Sequence, residues 1–252
     1  MPDTMRLLDG LIDPILSRLD GLPEAARVVH LACGTGTLSL RLAERRPDLR
    51  ITGIDIDPAV IAEAKAAGSA VDFQVMDMTA LGLEDHSADA VISRVGLLSP
   101  GTPDFAQSAR EAARILRPQG VLGLAAWTDT ADSPYTRIGL AVLRAVLPAG
   151  AVPDFEAVFA QPVPIESHLS AAGLRDVEAR WFAWEAEYPD FETWWRFDTG
   201  FGPLAALFGA LTEQQLARAR QMMTDDLAQH RTGTGSYRLP ARARLVTARG
   251  RS

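Results

Sequence analysis

Along this chain the spacing of apolar residues switches repeatedly between two periods. Residues 27–32 form a short apolar run with Val28, Val29 and Leu31, which reads as a buried strand. Leu38, Leu42 and Ala43 follow at helical spacing, and the helix they predict stops before Pro47. Arg50 to Ile54 reads as a second strand. Asp57-Pro58 then opens a helix as N-cap and first-turn proline, and Gly68 ends it. Val71, Phe73 and Val75 alternate with Asp72 and Gln74 as a third strand, and Ala88 to Ser93 gives a fourth. Pro103 starts a helix with Phe105, Ala109, Ala112 and Leu116 on one face. It breaks at Arg117-Pro118-Gln119-Gly120, and Val121 to Trp127 is the fifth strand. Strands alternating with helices predict an α/β chain whose parallel sheet carries helices on both faces.

Outside this stretch the rhythm is different. Residues 5–20 hold Leu7, Leu8, Leu11, Ile12, Ile15, Leu16 and Leu19 at helical spacing, with Pro14 kinking or restarting the helix. This segment suits a packing helix or a flap over a ligand. Residues 128–163 read as a helix with irregular flanks, and a further helix ends at Gly173. Val177 to Tyr188 is a long aromatic-rich strand. Residues 190–230 return to helix, where Thr212 and Gln215 fit a capping box. Tyr237 to Ala248 is the last strand, with Pro240 at a bulge or edge. The expected division is therefore 1–26 as an N-terminal helical lid, 27–127 as the nucleoside-binding core and 128–163 as a helical insertion. Residues 164–252 complete the core and carry a second insertion at about 190–230.

Composition narrows the function classes. The chain has 252 residues, 47% hydrophobic and 23% charged, with a net charge of -7. An acidic chain without a basic stripe argues against nucleic acid as partner. One cysteine excludes an internal disulfide and a multi-cysteine zinc site, and His30, His86, His168 and His230 show no ligand pairing, so no metal is expected. There is no leader-like N-terminus and no apolar run of about 18 residues, so membrane insertion is not expected and the expected location is cytoplasmic. The Leu-rich N-terminal helix would serve a homodimer as well as a lid.

The chemistry concentrates in Val28-Val29-His30-Leu31-Ala32-Cys33-Gly34-Thr35-Gly36, with Asp55 nineteen positions after Gly36. A strand leads through glycines into a helix start, whose free N–H groups attract an anion. An acid closing the next strand can hold a ribose diol. Either a pyrophosphate or an amino-acid carboxylate would suit the turn. The dinucleotide fingerprint, however, needs a third glycine at position 39, where Ser39 stands. Simpler readings accompany each residue. Asp55 and Asp77 could cap turns, Met78 could be core, Arg94 could be a surface ion pair, and His30 could bond backbone at a strand end.

The combination resembles the class I S-adenosylmethionine-dependent methyltransferases. The matching segments are residues 30–36, Gly53-Ile54-Asp55-Ile56-Asp57-Pro58, Val75-Met76-Asp77-Met78, residues 87–94 and residues 113–120, in family order and spacing. Residues 171–177 and 245–249 look similar to small-molecule members, and Ser93 to Leu97 to a quinone- and natural-product-type subgroup. The resemblance implies a Rossmann-like doubly wound seven-stranded sheet, mostly parallel with an antiparallel last strand, plus helical insertions forming a lid. It implies S-adenosyl-L-methionine as cofactor and S-adenosyl-L-homocysteine as product. Ala32, Gly34 and Gly36 would then surround the methionine part, and Asp55 would accept both ribose hydroxyls. Ile56 would pack on the adenine, Asp77 would accept from its amino group with the Met78 backbone near a ring nitrogen, and Arg94 would lie near the methionine end. Two positions depart from the family: Ala32 replaces the glycine that opens the turn, and His30 replaces an acid that helps bind the cofactor's amino group.

The implied reaction moves a methyl by in-line displacement to O, C or N of a small, largely apolar or aromatic acceptor. Two alternatives stay open: a non-methylating relative that catalyses a cyclisation or isomerisation by positioning, and a cofactor-sensing module. The acceptor is expected above the carboxyl ends of the strands. Trp181, Phe182, Trp184, Tyr188, Phe191, Trp194, Trp195, Phe197 and Phe201 would serve it or form the core of the insertions. Candidate bases are Tyr135 and His168, then Asp129 and His230, whereas His86 is placed in a loop and set aside.

Overall fold

The computed structural model describes residues 6–97, 104–126, 134–154, 165–200 and 204–251. It divides into two compact units. A core unit comprises Leu11–Trp127, Val163–Phe182 and Arg244–Ser252, and a helical unit comprises Met1–Gly10, Thr128–Pro162 and Ala183–Ala243.

The strands are β1 (Arg27–Leu31), β2 (Arg50–Asp55), β3 (Asp72–Val75), β4 (Ala88–Arg94), β5 (Leu116–Ala126), β6 (Arg175–Tyr188) and β7 (Tyr237–Arg249). They form a seven-stranded sheet in the order β3-β2-β1-β4-β5-β7-β6. Pairing is parallel from β3 across to β5, and β7 joins β5 antiparallel. In a parallel sheet both faces are covered, so β1 is buried from Val28 to Leu31 and β4 buries Ala90 to Ser93. Strand order reverses between β1 and β4. That switch point opens a crevice at their carboxyl ends, because the connections leave in opposite directions there.

The helices that position this crevice obey local rules. α1 (Arg6–Asp9) and α2 (Ile12–Leu16) split the N-terminal apolar segment, and a 3-10 turn over Ser17–Leu19 follows. Leu11, Ile15, Leu16 and Leu19 are buried, and α2 packs on α3 (Thr37–Arg45), β4 and β5 within the core unit. α4 (Pro58–Ala67) starts at Asp57, whose carboxylate accepts the Ala59 N–H at 2.8 Å, with Pro58 at the first position. α5 (Phe105–Ile115) leads directly into β5.

Here the sequence expectation needs correction. The segment 117–120, expected only to break the preceding helix, is part of β5. Leu116 pairs with Ala88, and the ladder resumes at Ala90 with Val121. Pro118 has no N–H to give, so Arg117–Gly120 loops out as a bulge with Gln119 at φ 62°. Arg117 fastens the bulge by donating to Asp89 Oδ1 at 2.6 Å and to the His86 carbonyl at 3.1 Å.

The helical unit contains α6 (Pro134–Val146), α8 (Phe191–Gly200), α9 (Ala205–Gly209) and α10 (Glu213–Leu227), whereas α7 (Ile165–Ala171) belongs to the core unit. The stretch 190–230 is thus broken into separate helices. The Thr212–Gln215 capping box opens α10. Tyr188, Trp194, Trp195 and Phe197 are buried in this unit. Phe191 stacks on Trp195 at 5.8 Å, and the Trp184 ring occupies the space a side chain at Gly10 would fill.

Candidate functional site

At the end of β1 the chain turns through Ala32, Gly34 and Gly36, with φ of 51°, 54° and 82°. Two of these positions need glycine or tight packing for different reasons. At Gly36 an added Cβ would stand 2.5 Å from Phe73 Cζ, so the turn lies directly on the β3 side chain. At Ala32 the methyl is accommodated because Gly96 lacks one: a Cβ there would come within 2.2 Å of Ala32 Cβ. At Gly34 an added Cβ would meet nothing within 4 Å, so the backbone faces open space that a ligand can enter. Gly36 caps α3 without a side-chain hydrogen bond, which leaves first-turn N–H groups for an anion.

Asp55 holds this turn from β2. Its Oδ2 accepts the Gly34 N–H at 2.8 Å, and its Oδ1 accepts the Asp57 N–H at 3.1 Å. The Cys33 N–H reaches the Ile54 carbonyl at 2.8 Å, and the Met76 N–H reaches the Asp55 carbonyl at 2.9 Å. Each carboxylate oxygen thus keeps acceptor capacity after fixing one amide. Ile56, the next residue, is 66% exposed, an apolar side chain left largely to solvent. Asp77 closes an Asx turn: Oδ1 accepts both the Thr79 N–H and Thr79 Oγ1 at 2.8 Å. The backbone bond, then the hydroxyl, holds its carboxyl below the usual carboxylate range. Met78 is half-buried and packs against the hydrophobic core.

The opposite wall is the end of β4. Ser93 is buried, donates to the Leu31 carbonyl at 2.9 Å and accepts the Leu97 N–H at 3.0 Å, which fastens β4 to the start of the turn. Arg94 follows, half-buried. Val95 takes φ 71°, a left-handed conformation that a β-branched residue adopts only under restraint. Its N–H bonds the Ala125 carbonyl at 2.8 Å.

Beneath the turn lies His30, 2% exposed. Its Nδ1 meets Ser39 Oγ at 2.7 Å, and its Nε2 has no hydrogen-bond partner among the described residues. Burial, and then the Arg94 charge, push its pKa down to about 3, so the imidazole is neutral at physiological pH. Burial, and then Asp55, push the neighbouring Cys33 thiol up to about 12. The crevice therefore joins a free helix start, a carboxylate that ties the turn, a neutral imidazole and a guanidinium.

Asp129 and the side chain of Tyr135 lie outside the described residues, as does Phe201. His168 stands on α7, and its ring contact is edge-on with Phe105 at 5.2 Å rather than with the turn. His230 belongs to the helical unit, where burial and then Arg137 lower its pKa. His86 lies in the loop before β4 and meets the Leu116 carbonyl through Nδ1 at 3.0 Å. Trp181 is on the core unit, with Arg244 over its ring at 5.5 Å. Three residues carry structure here that pattern reading passed over. Ser39 partners His30, Ser93 fastens β4, and Asp198 is a buried acid of the helical unit. Ser39 did leave a signal: it is a polar residue at helical spacing from apolar ones.

Comparison with known proteins agrees with this geometry. Residues 28–120 match a family model described as a methyltransferase domain. A trans-aconitate 2-methyltransferase of Variovorax paradoxus is 32% identical, covering 48% of this chain and 46% of that protein. A 2-methyl-6-phytyl-1,4-hydroquinone methyltransferase of Synechocystis is 30% identical over 70% of this chain and 54% of that protein. The matched stretch spans less than half the length of the first curated relatives, 43% for one from Mycobacterium bovis. Among solved structures, the [4+2]-cyclase SpnF superposes with a TM-score of 0.57 at 20% identity, covering 96% of this chain and 80% of that one. At that identity the likeness concerns the fold.

Proposed function

Because the chain belongs to the class I S-adenosylmethionine-dependent methyltransferase family, we propose that it moves the methyl group of S-adenosylmethionine to an O, C or N atom of a small, largely apolar or aromatic acceptor. The family's cofactor is S-adenosylmethionine, and the donor set at the crevice fits it. Asp55 would take the ribose hydroxyls on the capacity its oxygens retain. The open backbone at Gly34 and the uncapped start of α3 would take the methionine carboxylate, with Arg94 adding positive charge. His30, held neutral, would not repel the ammonium as an imidazolium would. Ile56 would pack on the adenine, and Asp77 would accept from its amino group with the Met78 backbone near a ring nitrogen.

Bound cofactor supplies an electrophilic methyl on a sulfonium that departs as a neutral thioether, so no acid is needed to assist the leaving group. What remains for the protein is alignment of the acceptor atom and exclusion of water. A base matters only where the acceptor holds its proton tightly.

One observation carries this reading: the bond from the Gly34 N–H to Asp55 Oδ2 joins the ligand-facing turn to a carboxylate that keeps acceptor capacity. Incubation with methyl-labelled S-adenosylmethionine and a panel of aromatic hydroxyl, enol and amine acceptors tests it. Label should pass to an acceptor. Binding of S-adenosylhomocysteine without label transfer across the panel would favour a non-methylating reaction, in keeping with the cyclase among the fold neighbours. Absence of adenosyl binding would remove the proposal altogether.

A further inference from the structure

At the amino ends of the strands, opposite the ends that form the crevice, the core unit holds a pocket of about 280 Å³. It lies between the 3-10 turn after α2, the bulge of β5 and the end of β7, and Arg18, Arg117 and Arg249 line it together with Asp89. These three cations come from distant segments of a chain whose net charge is -7, and the fold sets them around one cavity.

The fold itself holds the walls. The Gly250 N–H donates to the Gly120 carbonyl at 2.9 Å, and Arg249 Nη1 donates to the Gln119 carbonyl at 3.3 Å. An added Cβ at Gly250 would stand 2.1 Å from the Arg117 carbonyl oxygen, so the end of β7 lies directly against the bulge. Arg18 rests its stem over β5, where a Cβ at Gly123 would come 3.8 Å from Arg18 Cβ.

The charges of the lining do not cancel. Asp89 is its one acid, and both carboxylate oxygens are engaged: Oδ1 accepts from Arg117 at 2.6 Å, and Oδ2 accepts the Arg27 N–H at 2.8 Å. Arg117 Nη2 makes no bond among the described residues, and neither Arg18 nor Arg249 pairs with a carboxylate there. Arg18 and Arg249 are exposed and Arg117 is half-buried, so their open N–H groups can be reached from solvent. Three guanidiniums against one carboxylate leave an excess of two positive charges, which repel one another until an anion enters. A carboxylate would offset one of them, whereas a phosphate group carries close to two charges and presents oxygens that the guanidinium fork matches in pairs. We propose that the pocket formed by Arg18, Arg117 and Arg249 binds a phosphate dianion, either free or as the head of a small phosphomonoester. This site stands apart from the crevice and does not rest on the methyl-transfer reading.

Isothermal calorimetry at pH 8 with inorganic phosphate, glycerol 3-phosphate and uncharged glycerol tests the site. Both phosphates should bind at one site per chain, and glycerol should not bind. Tighter binding of the ester assigns the pocket to a phosphorylated small molecule, and equal or tighter binding of the free ion assigns it to phosphate itself. Arg18→Gln and Arg249→Gln should each lower phosphate affinity at least fivefold. Arg110→Gln, which removes the same charge from the exposed face of α5, should leave it unchanged. Arg18 makes no hydrogen bond among the described residues, so its substitution does not endanger folding. Absence of phosphate binding, unchanged affinity in the Arg18 and Arg249 variants, or an equal loss in Arg110→Gln would overturn the proposal. A parallel titration with S-adenosylhomocysteine separates the two readings. Adenosyl binding without phosphate binding removes only this site, and phosphate binding without adenosyl binding removes only the proposed function.

Discussion

Position 55 shows how one side chain can serve fold and ligand together. Asp55 fixes two backbone amides and, in the proposed function, holds a sugar diol as well. Asp55→Ala should lower S-adenosylhomocysteine affinity by at least tenfold in calorimetry, with a loss of about 1–3 kcal/mol of stability from the freed Gly34 amide. Two other groups make stability depend on pH in opposite senses. His30 binds fewer protons folded than unfolded, because its pKa falls from 6.5 to about 3. Its contribution is complete above about pH 6.5 and is lost as pH falls toward 3, up to roughly 5 kcal/mol. Asp198 binds more protons folded, because its pKa rises from 3.8 to about 8. Its contribution is complete below about pH 4 and is lost as pH rises toward 8, up to roughly 6 kcal/mol. Because the two windows overlap, urea unfolding of the wild-type protein should change little between pH 5 and 7 and weaken from pH 7 to 9, whereas Asp198→Asn should weaken from pH 7 to 5 and stay level to pH 9. Asp55 and His30 were legible as candidates because His30 lies on the strand that enters the glycine turn and Asp55 closes the strand that follows it. Asp198 was not, because nothing in a helical pattern says that an acid on it lacks a partner.

At the scale of elements, the boundaries set by neighbouring residues were readable and those set by pairing were not. Asp57-Pro58 starts α4, and the Thr212–Gln215 box starts α10, because each cap is complete within four residues. Thr212→Ala should cost about 1 kcal/mol in urea unfolding, the usual worth of such a cap. Gly36→Ala should cost more. It combines a left-handed conformation, about 1–2 kcal/mol, with a methyl 2.5 Å from Phe73 Cζ, and it should reduce adenosyl affinity in the same preparation. The start of β5 escaped local reading. Arg117-Pro118-Gln119-Gly120 has the composition of a turn, and only the ladder with β4 makes it a bulge. The same holds for Ala32. Its tolerance depends on Gly96, which lies sixty-four positions away in sequence but within van der Waals reach in the fold.

For the whole molecule, the two pH-sensitive groups fall in different units, His30 in the core unit and Asp198 in the helical unit. Hydrogen exchange followed by mass spectrometry should therefore separate them. Acidification from pH 6.5 should speed exchange first in peptides of β1 and α3, and alkalinisation toward pH 9 should do so first in peptides of α6 and α8, after correction for intrinsic rates. Equal loss of protection in both units at either extreme would contradict the assignment. Among the described residues no helix is long and apolar enough to cross a membrane. Alternation of strand and helix periods from residue 27 to 126, the glycine turn and the acid that follows it were enough to determine the parallel sheet and the crevice, because periodicity and turn chemistry are local properties of the chain. Tertiary structure alone decided that Ser39 would meet His30, that Gly96 would make room for Ala32, and that Asp198 would be buried without a counter-charge among the described residues. Each of these depends on what a distant segment brings alongside, and burial and pairing are properties of that meeting rather than of any residue by itself.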